Sequence, residues 1–255
     1  LQRIELRLTS LECRQPIYLK LLFEEARLWP SYAEAQTLGE GVPALLAQLF
    51  ARLSLPANHG PLLVERVLGY LATSQHGLAE NEILEILFRD PEYKAALDAA
   101  TEKTRHELPA SATRIPIALW SRIRLDLAPY LSERAAPGAN VLTFYHRQVA
   151  EWVQDHLAKQ TQQIWAPHPR LADYFLDLAD PAKDLTWQGV GERPFLEIAF
   201  HLQRAERWDD LCAYLTDFRC LDARVRSGQV FAVVTDQRAA IAALPELAEE
   251  VRRER

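Results

Sequence analysis

The chain has 255 residues, 49% of them hydrophobic and 25% charged, with a formal net charge of −6. Only nine glycines and fifteen prolines are present, so the composition is that of an ordinary globular protein and excludes low complexity and broad disorder. The negative charge argues against general nucleic-acid affinity, which needs a basic face to displace phosphate counterions, and no apolar run approaches the ~18 residues of a membrane span.

The dominant period is helical. Leu19, Leu22, Phe23 and Ala26 share one face of a first helix, and Leu45, Leu46, Leu49, Phe50 and Leu53 one face of a second. Leu55-Pro56-Ala57-Asn58-His59-Gly60-Pro61 breaks the pattern and suits a domain boundary. Leu63, Val67, Leu68 and Leu71 predict the next helix. Gly77 marks a turn, and Leu78 to Leu87 predict a short helix whose first turn is acidic, as the helix dipole favours. Residues 90 to 114 are polar and irregular and read as an inserted loop. Trp120, Ile123, Leu127 and Tyr130 then step by three and four along a further helix.

Leu131-Ser132-Glu133-Arg134, the turn set Pro137-Gly138-Ala139-Asn140 and the β-branched and aromatic run Val141 to Tyr145 predict a β-hairpin. A helix from about His146 to Leu157 follows, with Val149, Trp152 and Val153 inward; both Trp120 and Trp152 are expected to be buried. Three helices and then a hairpin make a winged-helix unit. Beyond Trp165 the periodic sets are Leu171, Tyr174, Phe175 and Leu178; Phe195, Ile198, Ala199 and Leu202; Trp208, Leu211, Cys212 and Leu215; Phe218, Leu221 and Val225; and Val230, Val234 and Ile241. Paired short helices without a clean fixed repeat suggest the start of an α-solenoid. The expected fold is mainly α, with a winged-helix domain and small hairpin over 58–165, a helical segment over 1–57 and a helical arm over 166–255.

Two segments carry a family resemblance. Gln15-Pro16-Ile17-Tyr18-Leu19-Lys20-Leu21-Leu22-Phe23-Glu24-Glu25-Ala26-Arg27 and Phe144-Tyr145-His146-Arg147-Gln148-Val149-Ala150-Glu151-Trp152-Val153 resemble the nucleotide-sensing segments that follow the ATPase core in STAND (NACHT-type) signalling ATPases. Pro16-Ile17-Tyr18-Leu19 is similar to the Pro-Leu-x-Leu element of the family's first helical domain, with Gln15 where the family often has Gly. His201-Leu202-Gln203-Arg204-Ala205-Glu206-Arg207-Trp208-Asp209-Asp210-Leu211 looks like the helical arm that precedes WD40 propellers in members of the telomerase-associated and nephrocystin type. The order of the three elements covers nearly the whole chain.

The resemblance implies that residues 1–57 end the first helical domain, that Pro16 packs on the adenine of bound nucleotide, and that His146 touches the β-phosphate of ADP in the resting state. The implied cofactor is ADP or ATP in a full-length parent, with no tight binding to this segment alone. The implied partners are an upstream ATPase core, further copies of the activated parent during oligomerisation, and downstream WD40 or other sensor repeats. No G-x-x-x-x-G-K-[ST] phosphate loop occurs, and the chain begins at Leu1 without any Met, so it reads as the regulatory, non-catalytic middle of a larger cytoplasmic switch protein. The alternatives are a winged-helix DNA-binding transcription regulator and a helical scaffold for protein partners.

The residues also admit plainer roles. His146 follows an apolar strand and opens a helix, where an imidazole can cap backbone or donate to a phosphate at the helix N-terminus. Pro16 suits the first position of a helix. Glu24, Glu25 and Arg27 read as a solvated helix face. Arg122, Arg124 and Arg134 read either as a basic strip or as surface charges paired with Asp126 and Glu133. His146, His156 and His168 lack the spacing that sets two zinc ligands on one helix face, so no metal is expected. Cys13, Cys212 and Cys220 are odd in number and lack ligand spacing, and so read as reduced core thiols.

Overall fold

Prolines mark where helices begin. Pro16, Pro43, Pro61, Pro91, Pro167 and Pro194 each fall on the first or second residue of a helix, where the ring's preset φ suits the turn and its missing N–H is not needed. The structure, a computed structural model, describes residues 14–29, 39–104, 109, 111–160, 165–189 and 191–243. It is mainly helical with one small antiparallel sheet.

Helices α1 (Pro16–Ala26) and α2 (Val42–Leu53) pack on each other. The inward set of α2 is the expected one, Leu45, Leu46, Leu49, Phe50 and Leu53. The inward set of α1 is not: Ile17, Tyr18, Leu21 and Leu22 are buried, whereas Phe23 is 57% exposed. The run from Leu19 to Phe23 offers two overlapping apolar stripes, and α2 covers the one that also buries Glu25. That carboxylate, expected in solvent, accepts from Arg52 Nε at 3.2 Å and Nη2 at 2.8 Å. Glu24, whose side chain is also mostly buried, pairs with the exposed Arg27 at 2.6 Å.

After the break at 55–60 come α3 (Pro61–Thr73), β1 (Leu78–Ala79), α4 (Glu80–Arg89), α5 (Pro91–Thr104), α6 (Ile117–Leu127), a 3₁₀ turn (Ala128–Tyr130), β2 (Leu131–Ala136), β3 (Ala139–Phe144) and α7 (Arg147–Gln160). The hairpin runs from Leu131↔Phe144 to Ala136↔Ala139. It gains a third strand, because Leu78 and Ala79 pair with Leu142 and Val141 in the order β1-β3-β2. The expected helix over 78–87 therefore starts two residues later. Glu82 Oε2 accepts the Ala79 N–H at 2.7 Å and caps the helix there, which frees the two preceding residues for the sheet. Gly77 makes the approach feasible: its φ is +88°, and a Cβ there would lie 2.5 Å from Thr143 Cγ2.

The expected loop over 90–114 is in large part a helix, α5. Asp90 Oδ1 accepts the N–H groups of Glu92 and Tyr93 as an N-cap, Pro91 opens the first turn, and Tyr93 and Leu97 form a narrow buried stripe. Residues 105–108 and 110 lie outside the described residues. On α6, Trp120 is 1% exposed and Ile123, Leu127 and Tyr130 are buried with it. Trp152, also expected to be buried, is only half-buried. It stacks on His156 at 4.4 Å between ring centroids and meets the edge of Phe50 at 6.0 Å.

The remainder is α8 (Pro167–Ala179), α9 (Arg193–Arg204), α10 (Trp208–Thr216), α11 (Phe218–Arg226) and α12 (Val230–Ala243). Neighbours in sequence pack together, but α12 folds back onto α9 and α10, so these helices form a cluster and not an open stack. The expected inward faces hold for α8 and α9, and fail for α11 and α12. Phe218, Val225, Val230, Val234 and Ile241 are exposed; Cys220, Arg224, Val233 and Ala240 face inward. Cys212 is exposed, Cys220 is buried as expected, and Cys13 lies outside the described residues. No helix among the described residues is long and apolar enough to cross a membrane.

Candidate functional site

The turn between β3 and α7 carries His146. The ladder persists one step past Phe144, since the Tyr145 N–H donates to Tyr130 O at 3.1 Å, and the chain then turns into α7. His146 caps that helix: the backbone N–H of Gln148 donates to His146 Nδ1 at 3.2 Å. An Nδ1 that accepts has no proton of its own, so in the neutral ring the proton sits on Nε2, which remains a donor. The capping role and a phosphate-facing role thus use different nitrogens of one ring.

His146 lines an open cleft of about 250 Å³. Ser74, Gln75 and Gly77 of the α3–β1 turn form one rim, Arg134 and Thr143 of the sheet another, and Tyr145 and Arg147 flank the histidine. Arg147 is paired with Glu151 at 2.9 Å along α7. The Arg134 side chain makes no hydrogen bond or ion pair among the described residues, so its charge is available to the cleft. Two arginines beside a helix N-terminus favour an anion.

Pro16 does not line this cleft. It is exposed at the start of α1, one turn before Lys20 on the same face. Lys20 Nζ sits 3.7 Å from the centroid of the Tyr145 ring, whose neighbour in sequence is His146. Phe23 and Arg27 continue the same exposed stripe. The two expected site residues therefore border one side of the molecule, linked through Lys20 and Tyr145. Burial first, and then the charge of Glu24, raise the pKa of the Tyr145 hydroxyl, so it stays protonated.

Behind the cleft lies a set of buried charges that sequence reading missed. Glu197 of α9 is fully buried, yet accepts the N–H groups of Gln75 at 3.2 Å and His76 at 3.1 Å, His76 Nδ1 at 3.1 Å and His201 Nε2 at 3.2 Å. Burial alone would raise its pKa. The hydrogen bonds from His201 and His76 and the charges of His201 and Arg193 outweigh burial and hold it at about 2. Because the carboxylate only accepts, His201 Nε2 carries a proton, and His201 Nδ1 shares a hydrogen bond with His168 Nδ1 at 3.0 Å. Burial, then the nearby His201 and Arg204, hold His168 down at about 4. Arg193 donates to Glu82 at 2.6 and 2.9 Å and to Gly77 O at 2.5 Å. Residues of α9 thus grip the backbone of the turn whose other side is the cleft rim. A second knot centres on Asp90, which accepts hydrogen bonds from Tyr70 Oη at 2.7 Å and Arg170 at 2.6 Å and forms an ion pair with Arg66 at 3.1 Å. The i, i+4 pair Glu197 and His201 was visible in the sequence; their partners on the distant α3–β1 turn were not.

The remaining candidates separate. Arg122 donates to Asn58 O at 3.3 Å, Arg124 pairs with Glu80 at 3.4 Å, and Asp126 pairs with His59, so the three arginines do not share one strip and do not use Asp126 or Glu133. The outer side of α6 instead exposes Ile117 and Leu125. His156 stacks on Trp152, and His168 joins His201. Among the described residues no group of three or more His, Cys, Asp or Glu side chains is placed to hold a metal ion.

No protein-family profile and no solved structure matches the chain. Curated relatives do. Human NACHT domain- and WD repeat-containing protein 1 is 37% identical over 164 residues, which is 64% of this chain and 10% of that protein. The mouse protein of the same name is 35% identical over 164 residues. Human NACHT and WD repeat domain-containing protein 2 is 29% identical over 186 residues, 72% of this chain and 10% of that protein. The chain spans about a tenth of the length of the curated relatives it matches.

Proposed function

We propose, on the premise that this chain is related to a region of NACHT and WD repeat-containing proteins, that it is the nucleotide-sensing regulatory segment of a signalling ATPase. It is not itself a catalyst. Residues 58–165 act as the winged helix, and residues 166–255 as the arm. In the resting parent, His146 Nε2–H donates to a phosphate oxygen of ADP, Arg134 and the N-terminus of α7 supply positive potential, and the exposed Pro16 meets the adenine. ATP replaces ADP, the contact is lost, and the segment swings to permit oligomerisation, a two-state change biased by nucleotide. The ATPase core, further copies of the parent and WD repeats are its partners. A cytoplasmic setting is consistent with the free thiols Cys212 and Cys220.

The observation that supports this reading best is the division of labour on His146, whose Nδ1 is occupied by Gln148 N–H while Nε2–H stays available beside Arg134. The test uses the full-length parent with His146→Ala and His146→Asn. Asn retains a capping oxygen but lacks the reach of Nε2. Both variants should release ADP faster, by about 5- to 150-fold for the loss of one hydrogen bond to phosphate. Only the alanine variant should melt lower. Unchanged ADP release in both would leave His146 as a helix cap alone.

A further inference from the structure

We infer that the cavity where α3 and α7 meet α8 and α9 is a binding site for a small aromatic carboxylate. The cavity measures about 390 Å³, within the range of pockets that hold small organic ligands. It adjoins the His146 cleft only at Ala72, and the inference does not rest on the reading of His146.

The cavity has an aromatic wall. Trp165 lies so close over α3 that a Cβ on Gly69 would come within 2.0 Å of its ring, so only glycine admits the indole there. Tyr70 meets Trp165 edge-on at 5.4 Å, and the Arg66 guanidinium sits 5.0 Å from the ring centroid. Phe200 of α9 supplies a second aromatic surface, and Leu157 of α7 an aliphatic one.

The polar groups are few and specific. Arg204 rests over Phe200 at 5.6 Å and has no carboxylate partner among the described residues, whereas Arg66, Arg170 and Arg193 nearby are all paired with carboxylates. Thr73 lines the cavity and makes no side-chain hydrogen bond among the described residues, so its hydroxyl is available as a donor. His168 brings no second charge. Its Nδ1 is committed to His201, and burial keeps the ring neutral, with a pKa of about 4. One planar guanidinium and one hydroxyl match a carboxylate, which accepts two parallel N–H bonds from arginine. A doubly charged phosphate would find too little positive charge. The aromatic walls select a flat apolar body behind the anionic end.

Saturation-transfer NMR on this chain tests the site with benzoate and naphthoate, and with the matching uncharged amides. Two variants accompany it: Arg204→Met, which removes the charge from an exposed position, and Ala158→Phe, which fills the cavity from its exposed rim. Saturable binding of a carboxylate is expected, about tenfold tighter than its amide, weakened about tenfold by Arg204→Met and abolished by Ala158→Phe. Absence of saturable binding, equal affinity for carboxylate and amide, or binding unchanged in the two variants would each overturn the assignment.

Discussion

Glu197 and His76 are 121 positions apart in sequence and share two hydrogen bonds at 3.1 Å, one from the His76 backbone and one from its ring. The carboxylate is fully buried, so this contact and its companions join α9 to the turn that rims the His146 cleft. A movement of the arm relative to the sheet must break them. In the proposed switch, the cleft and the arm therefore move together.

Glu197→Ala should be among the most damaging single changes. It leaves the Gln75 and His76 amides and His201 without their buried acceptor and removes a charge 3.6 Å from Arg193, and loss of one partner of such a set costs about 3–5 kcal/mol. For a chain of this size that corresponds to a fall of roughly 10 °C in melting temperature. Thermal denaturation monitored by circular dichroism measures it; a fall of only a degree or two would mean that the knot contributes little.

Acid should weaken the fold in two stages. His168 is held below its ordinary value of 6.5, at about 4, so its neutral form is favoured in the folded state. The stability this provides is present above pH 6.5 and is lost as pH falls toward 4. Glu197 is held below its ordinary 4.5, at about 2, and its contribution is lost between those values as pH falls. Melting temperature should therefore decline from about pH 6.5 downward, with the lower part of the decline flattened in Glu197→Gln. A melting temperature independent of pH over this range would contradict both assignments.

Trp120 and Trp152 should differ in sensitivity. Trp120→Ala removes a ring that is 1% exposed and should cost roughly 3–5 kcal/mol. Trp152→Ala removes a half-buried ring, whose main partners are His156 and Phe50, and should cost less than half as much. Urea denaturation of the two variants gives the comparison directly, and equal losses would show that Trp152 belongs to the core.

Gly77→Ala places a side chain at φ +88° and 2.5 Å from Thr143 Cγ2. A destabilisation of about 1–3 kcal/mol is expected, with loss of amide protection in β1 read by hydrogen exchange. Unchanged protection at Leu78 and Ala79 would show that the third strand does not depend on this turn.

The chain should show no nucleotide hydrolysis. It has no phosphate loop, and so lacks the lysine and the magnesium-binding hydroxyl of that chemistry. Phosphate release that survives ion exchange and scales with protein concentration would remove the non-catalytic reading.

Local chemistry made much of the architecture legible. Pro16, Pro61 and Pro167 announce helix starts, Pro137-Gly138 announces the hairpin, and the spacing of Leu45 to Leu53 and of Trp120 to Leu127 gives both the helix and its buried face. His146 at a strand-to-helix turn was likewise readable as a cap, because the donors it meets lie within two residues. Where two stripes compete, period alone does not choose. Phe23 turned outward and Glu25 inward because Arg52 is there to meet the carboxylate, and Phe218 and Val225 turned outward because α11 turns Cys220 and Arg224 toward the cluster. Leu78 and Ala79 left their helix only because Leu142 and Val141 offered strand partners more than sixty residues away in sequence. The buried charges are the extreme case. Nothing near Glu197 or Arg193 announces Gln75, His76, Gly77 and Glu82, because a buried ion finds its partners through the tertiary fold, and burial without them would be too costly to persist.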